Sequence, residues 1–383
     1  MYIIHYFWYN IYMKYLAVLG RLPNISLAEL SRLFGDSVQK IAPNLAVFES
    51  AKNPDINRLG GTLKIGHLLE ENPIDYLLNL KDDNGKLIDH KIVIGISDYS
   101  KNANRRKSSA EAMKLKKILS RKGRSTRVLS NNNASLSTAT SHHNQMGEKA
   151  GHVEFMIAGH KWYVLTGVQN ITAYKNRDQA RPARDAKVGM LPPKLAQILI
   201  NLCGDLPKGS TVLDPFCGTG VVLQEAFLMG YKPYGTDLSD RMVEYSEKNL
   251  KWLEVQAKLS VGDATTFTWE QPINAIACET YLGAPMSQPP AEIKLKEQKQ
   301  ECKTIILTFL KNLSSQIKKD TPLALAVPAW LRPNGRYERL NILDEIVNLG
   351  YNVEKLNRLS QEDMLYFREG QIVAREIIIL RKI

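Results

Sequence analysis

The sequence predicts an α/β protein in which a C-terminal, Rossmann-like, mostly parallel sheet with an antiparallel edge hairpin follows an N-terminal α+β half. The first observation is an apolar strand, Thr211–Leu213, that runs into Asp214, a turn with two glycines and an apolar helix to Met229. A second apolar strand, Lys232–Thr236, ends in Asp237. This order of strand, glycine turn, helix, strand and acid is the nucleotide-binding half of a doubly wound sheet.

The second observation is the spacing of the later elements. Strands are expected at Lys258–Val261, Ala275–Cys278, Leu323–Pro328, Val353–Leu359 and Ile372–Leu380, and helices at Lys194–Leu202, Arg241–Leu253, Ile293–Ile317 and Leu340–Leu349. The last two strands are too close in sequence to be joined by a crossover helix. They therefore predict an antiparallel hairpin at the edge of the sheet.

The N-terminal half has shorter elements, which is the rhythm of an α+β region. Strands are expected at Met13–Gly20, Val38–Ala42, Leu45–Glu49, Thr62–Ile65, Lys91–Ser97, Val153–Ile157 and Trp162–Thr166. A helix is expected near Ile74–Asn79. The Ser26-Leu-Ala-Glu29 sequence has the form of a capping box and predicts a helix from Ser26 to Phe34. Met1–Tyr12 lacks the basic start and cleavage site of a signal peptide. Because Met13-Lys14 opens a clean strand, we expect Met1–Tyr12 to be a non-core extension that results from a mis-called translation start.

Positive charge is concentrated in one segment. The chain of 383 residues has a formal net charge of +12 and an isoelectric point near 9.3, which suggests a polyanionic partner. Lys101–Arg127 holds eleven basic residues and one acid, Glu111, a net charge of +10. Its apolar positions predict a helix at Ser108–Ser120 with a basic outer face. The candidate phosphate-binding residues are Arg105, Arg106, Lys107, Lys114, Lys117, Arg121 and Arg124.

The glycine turn discriminates between possible ligands. A dinucleotide fingerprint requires glycine or alanine where this chain has Leu223, and no Lys-Ser or Lys-Thr pair follows the glycines as in a phosphate-binding loop. Asp214, directly before the turn, would repel a phosphate. It suits a ligand with a cationic ammonium group and no phosphate, and S-adenosylmethionine (SAM) is such a ligand.

The cysteines argue against a metal centre or a disulfide framework. The four cysteines, Cys203, Cys217, Cys278 and Cys302, are scattered without a C-x-x-C pair. We therefore expect no metal and a reducing cytoplasmic location. No apolar run approaches the length of a membrane span, so no membrane partner is expected.

Two motifs carry a resemblance to a known family. Asp214-Pro-Phe-Cys-Gly-Thr-Gly220 resembles motif I of class I SAM-dependent methyltransferases. The bridge from Tyr174 to Ala196 is similar to that of THUMP-containing tRNA guanine-N2 methyltransferases, the archaeal and eukaryotic enzymes that modify guanosine at position ten. The basic helix and the Asn/Ser-rich loop Leu129–Thr140 resemble a THUMP domain with a ferredoxin-like companion. The resemblance covers residues 13–383.

The resemblance implies a division of the chain and a partner, tRNA. The segments are the non-core extension 1–12, a ferredoxin-like region 13–88, a THUMP-like RNA-binding region 89–170, a bridging segment 171–193 and a SAM-dependent methyltransferase domain 194–383. Arg177 and Arg181 in the bridge join the candidate RNA-binding residues. The resemblance leaves open whether a protein subunit activates the chain.

The resemblance also implies cofactor-binding residues. Those around the methionine end of SAM are Asp214, Phe216, Gly218 and Gly220, with Met190 and Pro192 on the covering helix. Asp237, followed by Leu238, would hold the ribose hydroxyls. Asp263 would accept from the adenine amino group, with Ala264 beside it. Asp263 lies in a Gly-Asp-Ala turn, so a helix cap is the alternative.

The chain departs from the family after the fourth strand. The family has D-P-P-Y there, whereas this chain has Glu279-Thr280-Tyr281-Leu282. By the resemblance, Glu279 and the carbonyl of Glu279 or Thr280 would accept hydrogen bonds from a target amino group, and Tyr281 would stack on the base. The expected function is SAM-dependent methylation of an exocyclic amino group, guanine N2 in tRNA. The alternatives are a DNA amino-methyltransferase and a catalytically silent SAM- and RNA-binding protein.

Overall fold

The computed structural model describes residues 12–185, 190–356 and 358–383. Apart from Tyr12, the expected extension at 1–12 lies outside the described residues. The chain forms two compact units. The N-terminal unit contains the residues up to Gly20, Asp36–Asn57 and Thr62–Ile171, and the C-terminal unit contains Arg21–Gly35, Arg58–Gly61 and Thr172–Ile383. The boundaries predicted at residues 88, 170 and 193 stay predictions.

Most strands lie where the sequence predicts them, but the strand expected at Val353–Leu359 is wrong, because the observed strand there is Tyr351–Val353. Three short strands, Thr126–Val128, Tyr337–Arg339 and Leu365–Tyr366, were not predicted. In chain order they are β1 Met13–Leu19, β2 Gln39–Ala42, β3 Leu45–Ser50, β4 Thr62–Leu68, β5 Ile92–Asp98, β6 Thr126–Val128, β7 His152–Ala158, β8 Lys161–Val168, β9 Thr211–Asp214, β10 Lys232–Asp237, β11 Lys258–Val261, β12 Ala275–Glu279, β13 Pro322–Leu331, β14 Tyr337–Arg339, β15 Tyr351–Val353, β16 Leu365–Tyr366 and β17 Val373–Lys382.

Helices lie between some of these strands. They are α1 Pro23–Phe34, α2 Pro73–Leu78, α3 Arg105–Arg121, α4 Thr138–His143, α5 Ile171–Gln179, α6 Pro193–Leu202, α7 Val221–Leu228, α8 Asp240–Trp252, α9 Glu292–Ser314 and α10 Leu343–Asn348. Within the described part of the chain, none of the helices is long and apolar enough to cross a membrane.

The N-terminal unit is built on one eight-stranded sheet of order β2-β3-β1-β4-β8-β7-β5-β6. β4 pairs with β8, so the predicted ferredoxin-like and THUMP-like segments share this sheet. α3 is preceded by the cap residue Asn104, whose side chain accepts from Lys107 N over 3.1 Å. The helix buries Ala112, Leu115 and Leu119 and leaves its basic face to solvent, as predicted.

The C-terminal unit has the sheet order β11-β10-β9-β12-β13-β17-β15. β9 to β13 run parallel, and β17 is antiparallel to both β13 and β15. The predicted mostly parallel sheet with an antiparallel edge is confirmed. The strand order reverses beside β9, and ligands of such sheets bind at the carboxyl ends of the strands at this switch point.

α1 corrects the predicted capping box. The helix begins at Pro23 rather than Ser26, because proline fits the first helical turn, and Ser26 Oγ donates to Leu22 O over 3.2 Å inside that turn. α1 packs on α6 through Ile25 and Ala28. This apolar contact places a helix from the N-terminal half of the sequence in the C-terminal unit.

A buried carboxylate reinforces this packing. Glu29 of α1 accepts from Gly60 N over 2.9 Å, from Gly61 N over 2.8 Å and from Asn201 Nδ2 over 2.8 Å. Burial raises the pKa of Glu29 to about 7, although these hydrogen bonds act in the opposite direction. The Arg58–Gly61 segment is therefore also held in the C-terminal unit.

Candidate active site

The glycine turn after β9 leaves open space beside its backbone. Gly218 and Gly220 have φ of 51° and 81°, in the left-handed region that favours glycine. A Cβ at Gly220 would lie 2.9 Å from Ser246 Oγ of α8, so glycine is required there for packing. A Cβ at Gly218 would meet nothing closer than Phe216 O at 3.9 Å. The turn at Gly218 can therefore be approached closely by a ligand.

Asp214 ends β9 as a buried carboxylate. It is 2% exposed, and its Oδ1 accepts from Phe216 N over 3.0 Å. Burial raises the pKa of Asp214 well above its usual range, and the nearby carboxylates of Asp237 and Glu279 raise it further. A cationic ligand beside Asp214 would relieve this electrostatic cost.

Asp237 ends the neighbouring strand, β10. Its Oδ2 accepts from Gly218 N over 2.8 Å and its Oδ1 from Ser239 N over 3.0 Å. Burial raises its pKa as well. Leu238, the next residue, is 72% exposed, which is unusual for a large apolar side chain. An acid and an accessible apolar surface thus lie side by side at the carboxyl end of β10.

Asp263 caps the turn after β11. Its Oδ1 accepts from Thr265 N over 2.8 Å and from Thr265 Oγ1 over 2.7 Å. These contacts close a turn at 264–266, and no helix begins there, so the alternative of a helix cap is wrong. Asp263 is exposed, and Ala264 beside it is buried. A role of these two residues toward adenine stays a prediction.

Glu279 ends β12, and its carboxylate is paired. Oε1 lies 2.7 Å from Nε of Arg375 on β17, and both side chains are mostly buried. Thr280 is held on β13, because its N and Oγ1 both donate to Ala326 O, over 3.0 and 3.3 Å. The strand therefore delivers Glu279 to the switch point, close enough to Asp214 for their charges to interact.

The loop after β12 is anchored to α9. Tyr281 Oη donates to Glu301 Oε1 over 3.1 Å, and burial and Glu301 raise its pKa to about 12. Ala284 N donates to Gln298 Oε1 over 2.7 Å. A Cβ at Gly283 would lie 2.4 Å from that same oxygen, so a glycine is needed for this approach. The side chain of Tyr281, the predicted stacking residue, is thus held in place by the hydrogen bond of its hydroxyl group.

The bridge arginines correct part of the predicted RNA-binding set. Arg177 Nε lies 2.6 Å from Glu225 Oε1, and its guanidinium stacks on Tyr174. Arg181 is 2% exposed, and its Nη2 donates to Met190 Sδ over 3.1 Å. Both guanidinium groups are packed inside the C-terminal unit because they bind side chains there. Neither is presented to solvent as a phosphate contact.

The bridge also lies against the glycine turn through a residue that the sequence did not indicate. Asn249 of α8 accepts from Ala183 N over 2.9 Å, and its Nδ2 donates to the carbonyls of Ala183 and Thr219 over 3.0 and 2.9 Å. Pro192 caps α6, which begins at Pro193. Met190 and Pro192 as cofactor contacts stay predictions.

The basic face of α3 is exposed in the N-terminal unit. Its solvent-exposed members are Arg105, Arg106, Lys107, Lys114, Lys117 and Arg121. Arg124 is an exception, because its Nη2 donates to Ile88 O. A groove of about 390 Å³ between α3 and β6 is lined by further cations, Lys91, Lys116 and Arg127. This surface suits phosphates.

The site geometry fits a cation better than a phosphate. Asp214, Asp237 and Glu279 end neighbouring strands around an open glycine turn, and among the described residues neither Asp214 nor Asp237 has a cationic partner. SAM carries an ammonium and a sulfonium and has no phosphate. The arrangement is that of a class I SAM-dependent methyltransferase.

Comparisons with known proteins agree with this class. The UPF0020 family, described as RMKL-like, methyltransferase domain, matches residues 181–306. The tRNA (guanine(10)-N2)-dimethyltransferase of Methanothermobacter thermautotrophicus is 29% identical over 172 residues, 44% of this chain and 48% of that protein. The probable tRNA (guanine(10)-N2)-dimethyltransferase of Methanothermococcus thermolithotrophicus is 34% identical over 139 residues, 35% of this chain and 78% of that protein.

The chain belongs to the tRNA guanine-N2 methyltransferase family. The matched region spans about half the length of the M. thermautotrophicus relative, 48%. Among solved structures, the crystal structure of TrmN from Thermus thermophilus is 17% identical, with a TM-score of 0.47, covering 97% of this chain and 100% of that one.

Proposed function

We propose that the chain transfers a methyl group from SAM to an exocyclic amino group in tRNA, the N2 of guanine. The observation that carries the proposal is the set of carboxylates of Asp214, Asp237 and Glu279 at the carboxyl ends of neighbouring strands, around the open turn at Gly218. Two of them suit a cationic cofactor, and the third suits an amino group.

The cofactor side of the site would use the turn and the two aspartates. SAM supplies a methyl group on a positively charged sulfur. Asp214 offers its charge to the methionine end of the ligand, while Asp237 is placed for the ribose hydroxyls. Leu238 offers an apolar surface to the adenine ring. Because Asp237 also accepts from Gly218 N, the turn and the ribose site are positioned together.

The amino-group side of the site would use Glu279. A guanine amino nitrogen is a poor nucleophile because its lone pair is delocalised into the ring. Accepting its N–H bonds stabilises the positive charge that develops on it during attack. Glu279 supplies a side-chain acceptor, and the carbonyl of Glu279 or Thr280 supplies the second. Tyr281, held at its hydroxyl by Glu301, supplies a ring for base stacking.

The RNA side would use the basic face of α3. This face contributes phosphate contacts without sequence-reading side chains, which favours recognition by shape. An amino group inside an A-form helix is poorly aligned for in-line transfer, so we propose that the target base is flipped out. The names of the relatives favour tRNA as the substrate and position ten as the target. The described cysteines are free and buried, which supports a reducing, cytoplasmic setting.

Nucleoside mass spectrometry tests the proposal. Purified chain is incubated with labelled SAM and with unmodified tRNA or, in parallel, duplex DNA. Label in N2-methylguanosine or N2,N2-dimethylguanosine is the expected result. Label in DNA bases would support the DNA amino-methyltransferase instead. Binding of SAM and tRNA without any transfer would support the catalytically silent alternative.

A further inference from the structure

The partner of Glu279 is a buried arginine from a strand that is not its neighbour. β13 separates β12 from β17. The Glu279 and Arg375 side chains are 16% and 8% exposed, and Nε to Oε1 is 2.7 Å. The pair therefore spans a strand at the carboxyl end of the parallel sheet, where the chemistry is proposed.

The sheet fixes the position of Arg375. Glu279 is opposite Ala326 of β13, and Ala326 is opposite Ile377 of β17. Arg375 is two residues from Ile377, so it projects from the same face as Glu279. Its backbone is paired on both sides, with Pro328 of β13 and with Tyr366 of β16. A guanidinium carried by such a strand has little freedom.

Glu279 needs such a partner. A glutamate has several side-chain torsions, and an unheld carboxylate would occupy many positions. The Arg375 contact uses one carboxylate oxygen, Oε1. Among the described residues none donates a hydrogen bond to the other oxygen, Oε2, and the side chain retains some exposure. One acceptor is thus fixed by the protein while the other faces no protein donor.

We propose that Arg375 is a positioning residue, which orients Glu279 so that Oε2 accepts from the amino group of the substrate. This inference rests on the proposed function. Arg375 is not a catalytic residue in this proposal, because it acts through Glu279 and is itself almost fully buried. It differs from a purely structural ion pair because its loss should reduce turnover without altering cofactor binding.

A neighbouring ion pair provides a matched control. Arg339 of β14 binds Glu376 of β17, with 2.6 Å between Nη1 and Oε1, and is also mostly buried. Glu376 follows Arg375 directly, so it projects from the opposite face of the same strand. Arg339→Met therefore removes a mostly buried pair from the same part of the sheet, together with the contacts of Arg339 to Gln361 and Glu362, without touching Glu279.

The experiment compares Arg375→Met, Arg375→Lys and Arg339→Met in the full chain, each in a wild-type and a Glu279→Gln background. Turnover on tRNA, SAM affinity by calorimetry and melting temperature are measured. We expect Arg375→Met to lower turnover roughly 100-fold through misplacement of the acceptor, with SAM affinity unchanged. Arg375→Lys should lose less, since it keeps the charge and a donor. In the Glu279→Gln background, Arg375→Met should cause no further loss.

The outcomes separate the two proposals. Equal turnover in Arg375→Met and Arg339→Met, or losses that add fully to that of Glu279→Gln, would overturn the positioning role. If Arg375→Met does not fold, Arg375→Gln replaces it in the comparison, and turnover equal to that of Arg339→Met would overturn the role just as well. A wild-type chain that methylates no nucleic acid would overturn the proposed function, and this inference would fall with it.

Discussion

The backbone N–H of Gly218 donates to Oδ2 of Asp237 over 2.8 Å, so the acid that ends β10 is tied to the turn that follows β9. Asp237 thus has two connected tasks, holding the turn and offering a carboxylate to a ligand. Substitutions at this position should separate these tasks.

Asp237→Ala should weaken SAM binding roughly 10- to 100-fold, because it removes charge-assisted contacts worth about 1.5–3 kcal/mol. Asp237→Asn keeps an acceptor for Gly218 N. It should therefore weaken SAM binding through the altered ribose contact while disturbing the turn less than Asp237→Ala does. Calorimetry with SAM and filter binding with tRNA measure the two affinities. SAM affinity equal to wild type in Asp237→Ala would contradict the assignment.

Asp214→Asn should raise the melting temperature of the ligand-free protein at neutral pH but weaken its stabilisation by SAM. The pKa of Asp214 is raised in the folded state, so its charged form lowers stability as pH rises above the unfolded value of about 3.9. The gain from asparagine should therefore vanish in strong acid. Melting curves against pH, with and without SAM, check both effects. A lower melting temperature for ligand-free Asp214→Asn at neutral pH would argue against a buried charge that awaits a cation.

Glu279→Ala should reduce methyl transfer on the order of 100- to 1000-fold, since it removes an acceptor used mainly in the transition state. SAM affinity should remain near that of wild type. Glu279→Gln, which preserves volume, guards against an effect of the unpaired Arg375. Single-turnover assays with labelled SAM give the rates. An active Glu279→Ala enzyme would mean that backbone carbonyls alone suffice.

Because of Glu29, the free energy of unfolding should decrease as the pH rises from 4.5 to about 7. Its pKa is raised by burial from 4.5 to about 7, so the folded protein binds this proton more tightly than the unfolded chain and loses stability as the proton leaves, about 3 kcal/mol in all. Above that range the loss is complete. Urea denaturation at several pH values should show this slope in wild type and a flatter one in Glu29→Gln. Identical slopes would assign the effect to other groups.

Replacing Lys114, Lys117 and Arg121 with alanine should weaken tRNA binding and flatten its salt dependence. Each lost phosphate contact should reduce the log–log slope by nearly one unit. Alanine at Lys311, Lys318 and Lys319, three exposed lysines of the C-terminal unit, is the control for net charge. An unchanged slope in the α3 variant would show that this face is only solvated and that RNA binds elsewhere.

The sequence was most informative where the signal is local. Alternating and helical periodicities predicted the strands and helices that position the site, and the acid–glycine order predicted the turn at Gly218. The predicted start of α1 at Ser26 was wrong, because the helix begins at Pro23, and proline fits the first helical turn. The roles of Arg177 and Arg181 could not be predicted, since a basic residue in a bridge gives no sign of a buried acceptor in another helix.

The pairing of Arg375 with Glu279 could not be predicted from the sequence either, although the sequence does indicate that Arg375 needs a partner. Its partner Glu279 is 96 positions away, and the pairing depends on β17 lying beside β13. Local patterns do not encode that strand order. Arg375 and Glu376 are, however, adjacent charges inside the predicted strand Ile372–Leu380, which is otherwise apolar, and such charges are buried only when paired. That pattern alone predicts partners, though not which ones.

The placement of α1 and Arg58–Gly61 in the C-terminal unit has a practical meaning for dissection of the protein. The chain leaves and re-enters this unit before Thr172, so no single cut separates the two units. A fragment starting at Thr172 would lack α1. The apolar face of α6 that packs on α1 would then be exposed to solvent, and Asn201 would lose its hydrogen bond to Glu29. Such an excised methyltransferase half should be poorly soluble, and supplying Arg21–Gly35 as a separate peptide should improve its recovery.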